Sequence, residues 1–91
     1  MEITLDMMVH GIALYESPEE FYQYVKIELE KQKKSGTYRE ITMENVVKKT
    51  SMAIDFFVKD RVVEKAVAET SKSRAKVEEI LDKIGAYTLN Q

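Results

Sequence analysis

Arg61-Val62-Val63-Glu64-Lys65-Ala66-Val67-Ala68-Glu69-Thr70-Ser71-Lys72-Ser73-Arg74-Ala75-Lys76-Val77-Glu78-Glu79-Ile80-Leu81-Asp82-Lys83-Ile84-Gly85 is the stretch whose reading decides the fold. Its second half places Val77, Ile80, Leu81 and Ile84 at i, i+3, i+4 and i+7, which lines four apolar side chains along one helical face. The spacing predicts a helix with one buried side. Ser73 can cap its start by accepting from the free amides of the first turn, and Gly85 can take the left-handed conformation that closes a helix. Thr70-Ser71-Lys72 separates it from an amphipathic segment upstream.

Working outward towards the N-terminus, the apolar residues of 51–68 do not keep one face. Ala53, Ile54, Phe57 and Val58 point with Val46 and Val47, whereas Val62, Val63, Ala66 and Val67 point the other way at about 100° per residue. Two arrangements fit. Either helices flank a break near Lys59-Asp60-Arg61 with Asp60 as a new cap, or 53–58 and 61–67 are the two strands of a hairpin. The helical arrangement is expected, because Glu64-Lys65-Ala66 are poor strand residues and Lys59-Asp60 is not a strong hairpin turn. Upstream again, Thr42 can cap a short helix carrying Val46 and Val47 as far as Lys49, which Thr50-Ser51 then breaks or bends.

Residues 37–41 read as a polar connector. Before them, Ser17-Pro18-Glu19-Glu20 supplies an N-cap, a proline at the first helical position and a glutamate three residues after the cap. A helix starts here, with Phe21, Tyr24, Val25 and Leu29 on its apolar face, Glu30 and Lys34 paired on the wet side, and a stop at Ser35-Gly36. Over 1–15, Ile3, Leu5, Met7 and Val9 alternate as a strand would, while Leu5, Met8, Val9 and Ile12 fit a helix capped by Thr4. Helix is expected, although Gly11 inside the pattern costs about 1 kcal/mol against alanine. The fold class expected is therefore all-α, with four to five helices in one helical domain over residues 1–91. The hairpin would instead give a winged-helix α+β fold.

Composition narrows the function classes. Fourteen basic and sixteen acidic residues leave a net charge of −2, so no global positive field points to nucleic acid or an anionic membrane, and any such binding needs a local patch. The absence of cysteine removes disulfides, thiolate metal sites and a cysteine nucleophile, and fits a reducing compartment. No basic n-region precedes the first apolar run, and nothing approaches the roughly 20 apolar residues that span a bilayer. A cytoplasmic protein with no membrane partner is expected. His10 is the sole histidine and has no second ligand at metal spacing. The three glycines are isolated, so there is no phosphate loop. Glu78, Glu79 and Asp82 read as a solvated face. No enzyme, metal or cofactor is expected.

Val67-Ala68-Glu69-Thr70-Ser71-Lys72-Ser73-Arg74-Ala75-Lys76-Val77, continued by Glu78-Glu79-Ile80-Leu81, resembles the helix-turn-helix of many transcriptional regulators. Ser71 and Lys72 depart from the glycine and the aliphatic residue usual in that turn. The resemblance implies double-stranded DNA as partner, with Lys72, Ser73, Arg74 and Lys76 at the groove-facing start of the second helix, where amides, hydroxyls and cations meet phosphates and base edges. Val46-Val47-Lys48-Lys49-Thr50-Ser51-Met52 forms a second such frame. It would move the contact to Lys48 and Lys49 and make the 53–67 hairpin a wing.

Five tyrosines and five methionines suit core packing or a protein interface. Tyr22 and Ile27 lie off the main stripe of their helix, which motivates a homodimer. Two functions are thus expected in turn: a small dimeric DNA-binding transcriptional regulator, or a non-enzymatic helical protein–protein interaction module that does not bind nucleic acid.

Overall fold

The computed structural model describes residues 2–33 and 41–87. The chain is all-α: α1 spans Leu5–Leu14, α2 Pro18–Lys31, α3 Met43–Phe57, α4 Lys59–Glu69 and α5 Arg74–Ala86. No strand occurs among the described residues, so neither the 53–67 hairpin nor the wing built on it forms. One apolar core takes buried side chains from all five helices and from Ile3 and Ile41.

The N-terminal segment is helical because Thr4 is a working cap, its Oγ1 accepting from the Met7 amide at 3.1 Å. Met8, Val9 and Ile12 are then buried together. Gly11 is also buried, where the Phe21 ring of α2 leaves no space for a side chain. Its place in the helix follows from close approach. At the far end of α2, Gln32 clamps the segment before α1 by donating from Nε2 to the Glu2 carbonyl at 2.9 Å and accepting the Glu2 amide at 2.8 Å.

α2 begins at Pro18 as expected, with Ser17 extended before it, but the Ser17 side chain makes no capping bond. Phe21, Val25 and Leu29 are buried as expected, and Tyr24 is half-buried. Tyr22 is buried as well, at 2% exposure, so it belongs to the core and not to a free face. Its hydroxyl donates to the Ile84 carbonyl at 2.7 Å, joining α2 to α5. The Glu30–Lys34 pair and the stop at Ser35-Gly36 lie outside the described residues.

α3 corrects the expected break at Thr50-Ser51. Thr42 caps the helix, accepting from the Asn45 amide at 3.2 Å, and the helix runs without interruption to Phe57. Thr50 does not break it, because its hydroxyl bonds back to the Val46 carbonyl at 2.8 Å, which satisfies a buried polar group inside the helix. The break falls at Val58, one residue before the expected site, with φ 66° and ψ 121°. Asp60 sits in the first turn of α4, and the Val58 carbonyl accepts from the Arg61 and Val62 amides instead. This kink resets the helical phase and explains the drift of the apolar face.

A β-branched residue at positive φ is strained by about 1–3 kcal/mol. Val58→Gly is expected to raise stability by about 1 kcal/mol, the strain relief exceeding the extra entropy of glycine. Urea unfolding in which this variant matches or falls below the parent would show that Val58 is not strained.

Gly85 is likewise corrected as the closing residue of α5. It lies within the helix, which continues to Ala86, and the Tyr87 amide closes the end on the Ile84 carbonyl at 3.3 Å.

Candidate nucleic-acid interface and an apolar groove

The pair α4 and α5 forms as the spacing predicts. Val62, Val63 and Ala66 of α4 and Val77, Ile80, Leu81 and Ile84 of α5 are buried, with Val67 half-buried. The Thr70 amide closes α4 on the Ala66 carbonyl, and Thr70 Oγ1 accepts from the Lys72 amide at 3.2 Å. Ser73 caps α5, its Oγ accepting from the Lys76 amide at 3.2 Å. Lys72, Ser73, Arg74 and Lys76 therefore share one helix start.

Their surroundings differ from the open cationic turn that a groove contact needs. Lys72 Nζ and Lys76 Nζ both lie 3.6 Å from Glu16 Oε1, on the link between α1 and α2. The Lys72 side chain is only 18% exposed. Arg74 donates from Nε to Glu78 at 3.1 Å, and the Ser73 hydroxyl is occupied by its cap. Exposed ion pairs contribute about 0–1 kcal/mol each, so these cations could be released. What cannot be moved so cheaply is the outward face of α5, where Ala75, Glu78, Glu79, Asp82, Lys83 and Ala86 share one shallow surface.

That face carries three carboxylates, each held by a cation: Glu78 by Arg74, Glu79 by Lys83 and Asp82 by Lys59. The Glu79 carboxyl is held below its ordinary range by a hydrogen bond from Lys83 and by the nearby Lys76 charge, so it stays ionised. Lys59 of α4 is bound to Asp82 at 2.7 Å, and that hydrogen bond pushes its ammonium pKa up. An α5 laid in a major groove would present three carboxylates beside its cations, with phosphates on either side.

The second frame is also corrected. Lys48 and Lys49 are exposed, but they lie in the body of α3 and not at a helix start, because α3 has no turn at Thr50–Met52. His10 is exposed on α1. Among the described residues, no three histidine, aspartate or glutamate side chains are grouped to hold a metal ion. No described helix is long and apolar enough to cross a membrane.

The feature that sequence reasoning missed lies on α3. Met52 is 65% exposed, Phe56 82% and Val58 61%. Phe56 stands edge-on to the half-buried Phe57 ring, centroids 5.5 Å apart. Beside them runs an open groove of about 680 Å³, walled by Met52, Ala53, Phe56 and Phe57 on one side and by Ile3 and Leu5 on the other, with Glu2 and Lys49 also on its lining. The Glu2–Gln32 clamp holds the second wall. A signal was present in the sequence: Asn45, Lys49, Met52 and Phe56 recur at i, i+4, i+7 and i+11, a second stripe on a helix whose first stripe fills the core.

No family model, no curated protein and no solved structure matches this chain.

Proposed function

We propose that this chain is a non-enzymatic helical interaction module that holds another protein chain against the exposed face of α3. The observation that carries the reading is Phe56, a large aromatic side chain left 82% exposed at the edge of an apolar groove, with Met52 beside it. Contiguous exposed apolar surface of this kind marks binding sites, and phenylalanine and methionine are enriched where proteins meet.

The second reading is a helix-turn-helix regulator that contacts double-stranded DNA through Lys72, Ser73, Arg74 and Lys76. It is favoured by their grouping at the start of α5, where the Arg74 side chain is 53% exposed. Against it weigh the three carboxylates on the outward face of α5, which already occupy its cations.

The two readings separate by photo-crosslinking of the full chain in expressing cells. The photoreactive residue benzoylphenylalanine is placed either at position 56, on α3, or at position 75, on the outward face of α5. Protein adducts of defined mass from position 56, with no nucleic-acid adduct from position 75, are the expected result. Nucleic-acid adducts from position 75 without protein adducts from position 56 would reverse the order. In that case duplex binding should weaken with salt by about −0.9 in log–log slope per phosphate neutralised, and Arg74→Ala should lower that slope.

A further inference from the structure

Resting on the interaction reading above, we infer that the occupant of the α3 face is a second copy of this chain, laid antiparallel across a two-fold axis at Met52. At 100° per residue Met52 lies at the centre of the outward face of α3, away from the buried Val46 and Thr50. Lys48 and Asp55 lie on one flank of Met52, and Lys49 and Phe56 on the other. All of these side chains are exposed.

An antiparallel two-fold pairing brings together residues on the same flank, at equal distances before and after the axis. Lys48 is four residues before Met52 and Asp55 three after; Lys49 is three before and Phe56 four after. Each flank therefore pairs with its own copy to within one residue, about 1.5 Å along the helix, in a single register. Lys48 meets the partner's Asp55, and Lys49 lies over the partner's Phe56 ring as a cation on an aromatic face. The symmetry makes each contact twice, and the partner's Phe56 enters beside Lys49, at the margin of the apolar groove.

The competing parallel pairing brings opposite flanks together at equal height. It sets Lys48 against the partner's Lys49 on both sides, which repels. Of these two pairings through Met52, the charge pattern of α3 favours the antiparallel one. Interfaces below roughly 1,200 Å² in all belong to weak and transient complexes, and a contact made through one helix face of each copy is of that kind.

The test is analytical ultracentrifugation of the full chain from about 1 μM to 1 mM, a span that covers dissociation constants of about 10 to several hundred micromolar. The parent is expected to pass from monomer to dimer. Asp55→Lys and Lys48→Asp should each weaken dimerisation by about tenfold or more, and the double exchange should restore it to within a few-fold of the parent. Phe56→Ser should leave a monomer. These positions are exposed, and helical circular dichroism confirms that each variant is folded. A parent that stays monomeric at 1 mM, or a double exchange that fails to recover, overturns the dimer. Monomeric chain together with crosslinks from position 56 to a protein of another mass removes the second copy and leaves the interaction module standing. Monomeric chain with no adducts removes both.

Discussion

Gly11→Ala is expected to lower the stability of this protein by about 2 kcal/mol, whereas Gly85→Ala is expected to raise it by about 0.5–1 kcal/mol. Both glycines lie inside helices, so alanine gains the same backbone advantage at each, up to about 1 kcal/mol. The surroundings decide the sign. A Cβ at position 11 would stand 2.7 Å from Phe21 Cδ2, closer still to Cε2, and 3.4 Å from Tyr24 Cδ2. The Phe21 ring is fully buried and packs edge-on to Tyr22 at 5.5 Å, so it cannot swing aside without opening the core. Overpacking of this kind costs about 1–3 kcal/mol, occasionally more, and exceeds the helical gain. At position 85 nothing lies within 4 Å. For a domain of this size the Gly11 variant should melt about 10 °C lower than the parent, and the Gly85 variant a few degrees higher. Equal responses at the two sites would show that α1 and α2 do not approach as closely as described.

The same glycine shows what local reading can and cannot reach. Thr4, Thr42 and Ser73 were legible as caps because a cap bonds within three residues of itself, and all three do so here. The stripe of α5 was legible because its period is long and regular. Gly11 counted against a helix because its reason sits ten residues away, in the ring of Phe21. Tyr22 fell off the stripe of α2 because that helix is covered on two sides, and the second side is Ile84 of α5. Thr50 carried a break signal that its own back-bond to Val46 cancels. Val58, a β-branched residue at φ 66°, is among the last residues that propensity would place at a kink.

The candidate site divides in the same way. The four residues Lys72, Ser73, Arg74 and Lys76 come together because they are neighbours on one helix start, and spacing alone was enough to group them. That Glu16 stands beside two of these cations is a tertiary fact, carried by the packing of α1 and α2 against α5. The outward stripe of α3 was in principle readable, since Lys49, Met52 and Phe56 repeat at helical spacing. It was obscured by the expected break at Thr50, which would have divided the stripe between two elements.

Alkaline pH provides the second large effect, through Tyr22. Its hydroxyl donates to the Ile84 carbonyl at 2.7 Å, in the last turn of α5, where that carbonyl also accepts the closing Tyr87 amide. Ionisation would break that bond and place a phenolate in the core. Burial, with the neighbouring Tyr87 adding to it, pushes the Tyr22 pKa up from 10.0 to about 12. A folded-state pKa above the unfolded one gives stability that is fully present below pH 10 and is lost as pH rises from 10 through about 12. Across that window the unfolded chain has released the proton while the folded chain retains it, so stability falls by about 1.4 kcal/mol per pH unit, on the order of 2–3 kcal/mol in all. Tyr22→Phe removes both the bond and the titration. At pH 8 it should be less stable than the parent by about 1 kcal/mol, the net worth of one hydrogen bond. The difference should shrink above pH 10 and reverse by pH 12. Tyr24, whose pKa is also raised, chiefly by burial, titrates in both proteins and leaves the comparison intact. Urea unfolding curves taken from pH 8 to 12 that run parallel for the two proteins would mean that the Tyr22 hydroxyl is not held in the core as described.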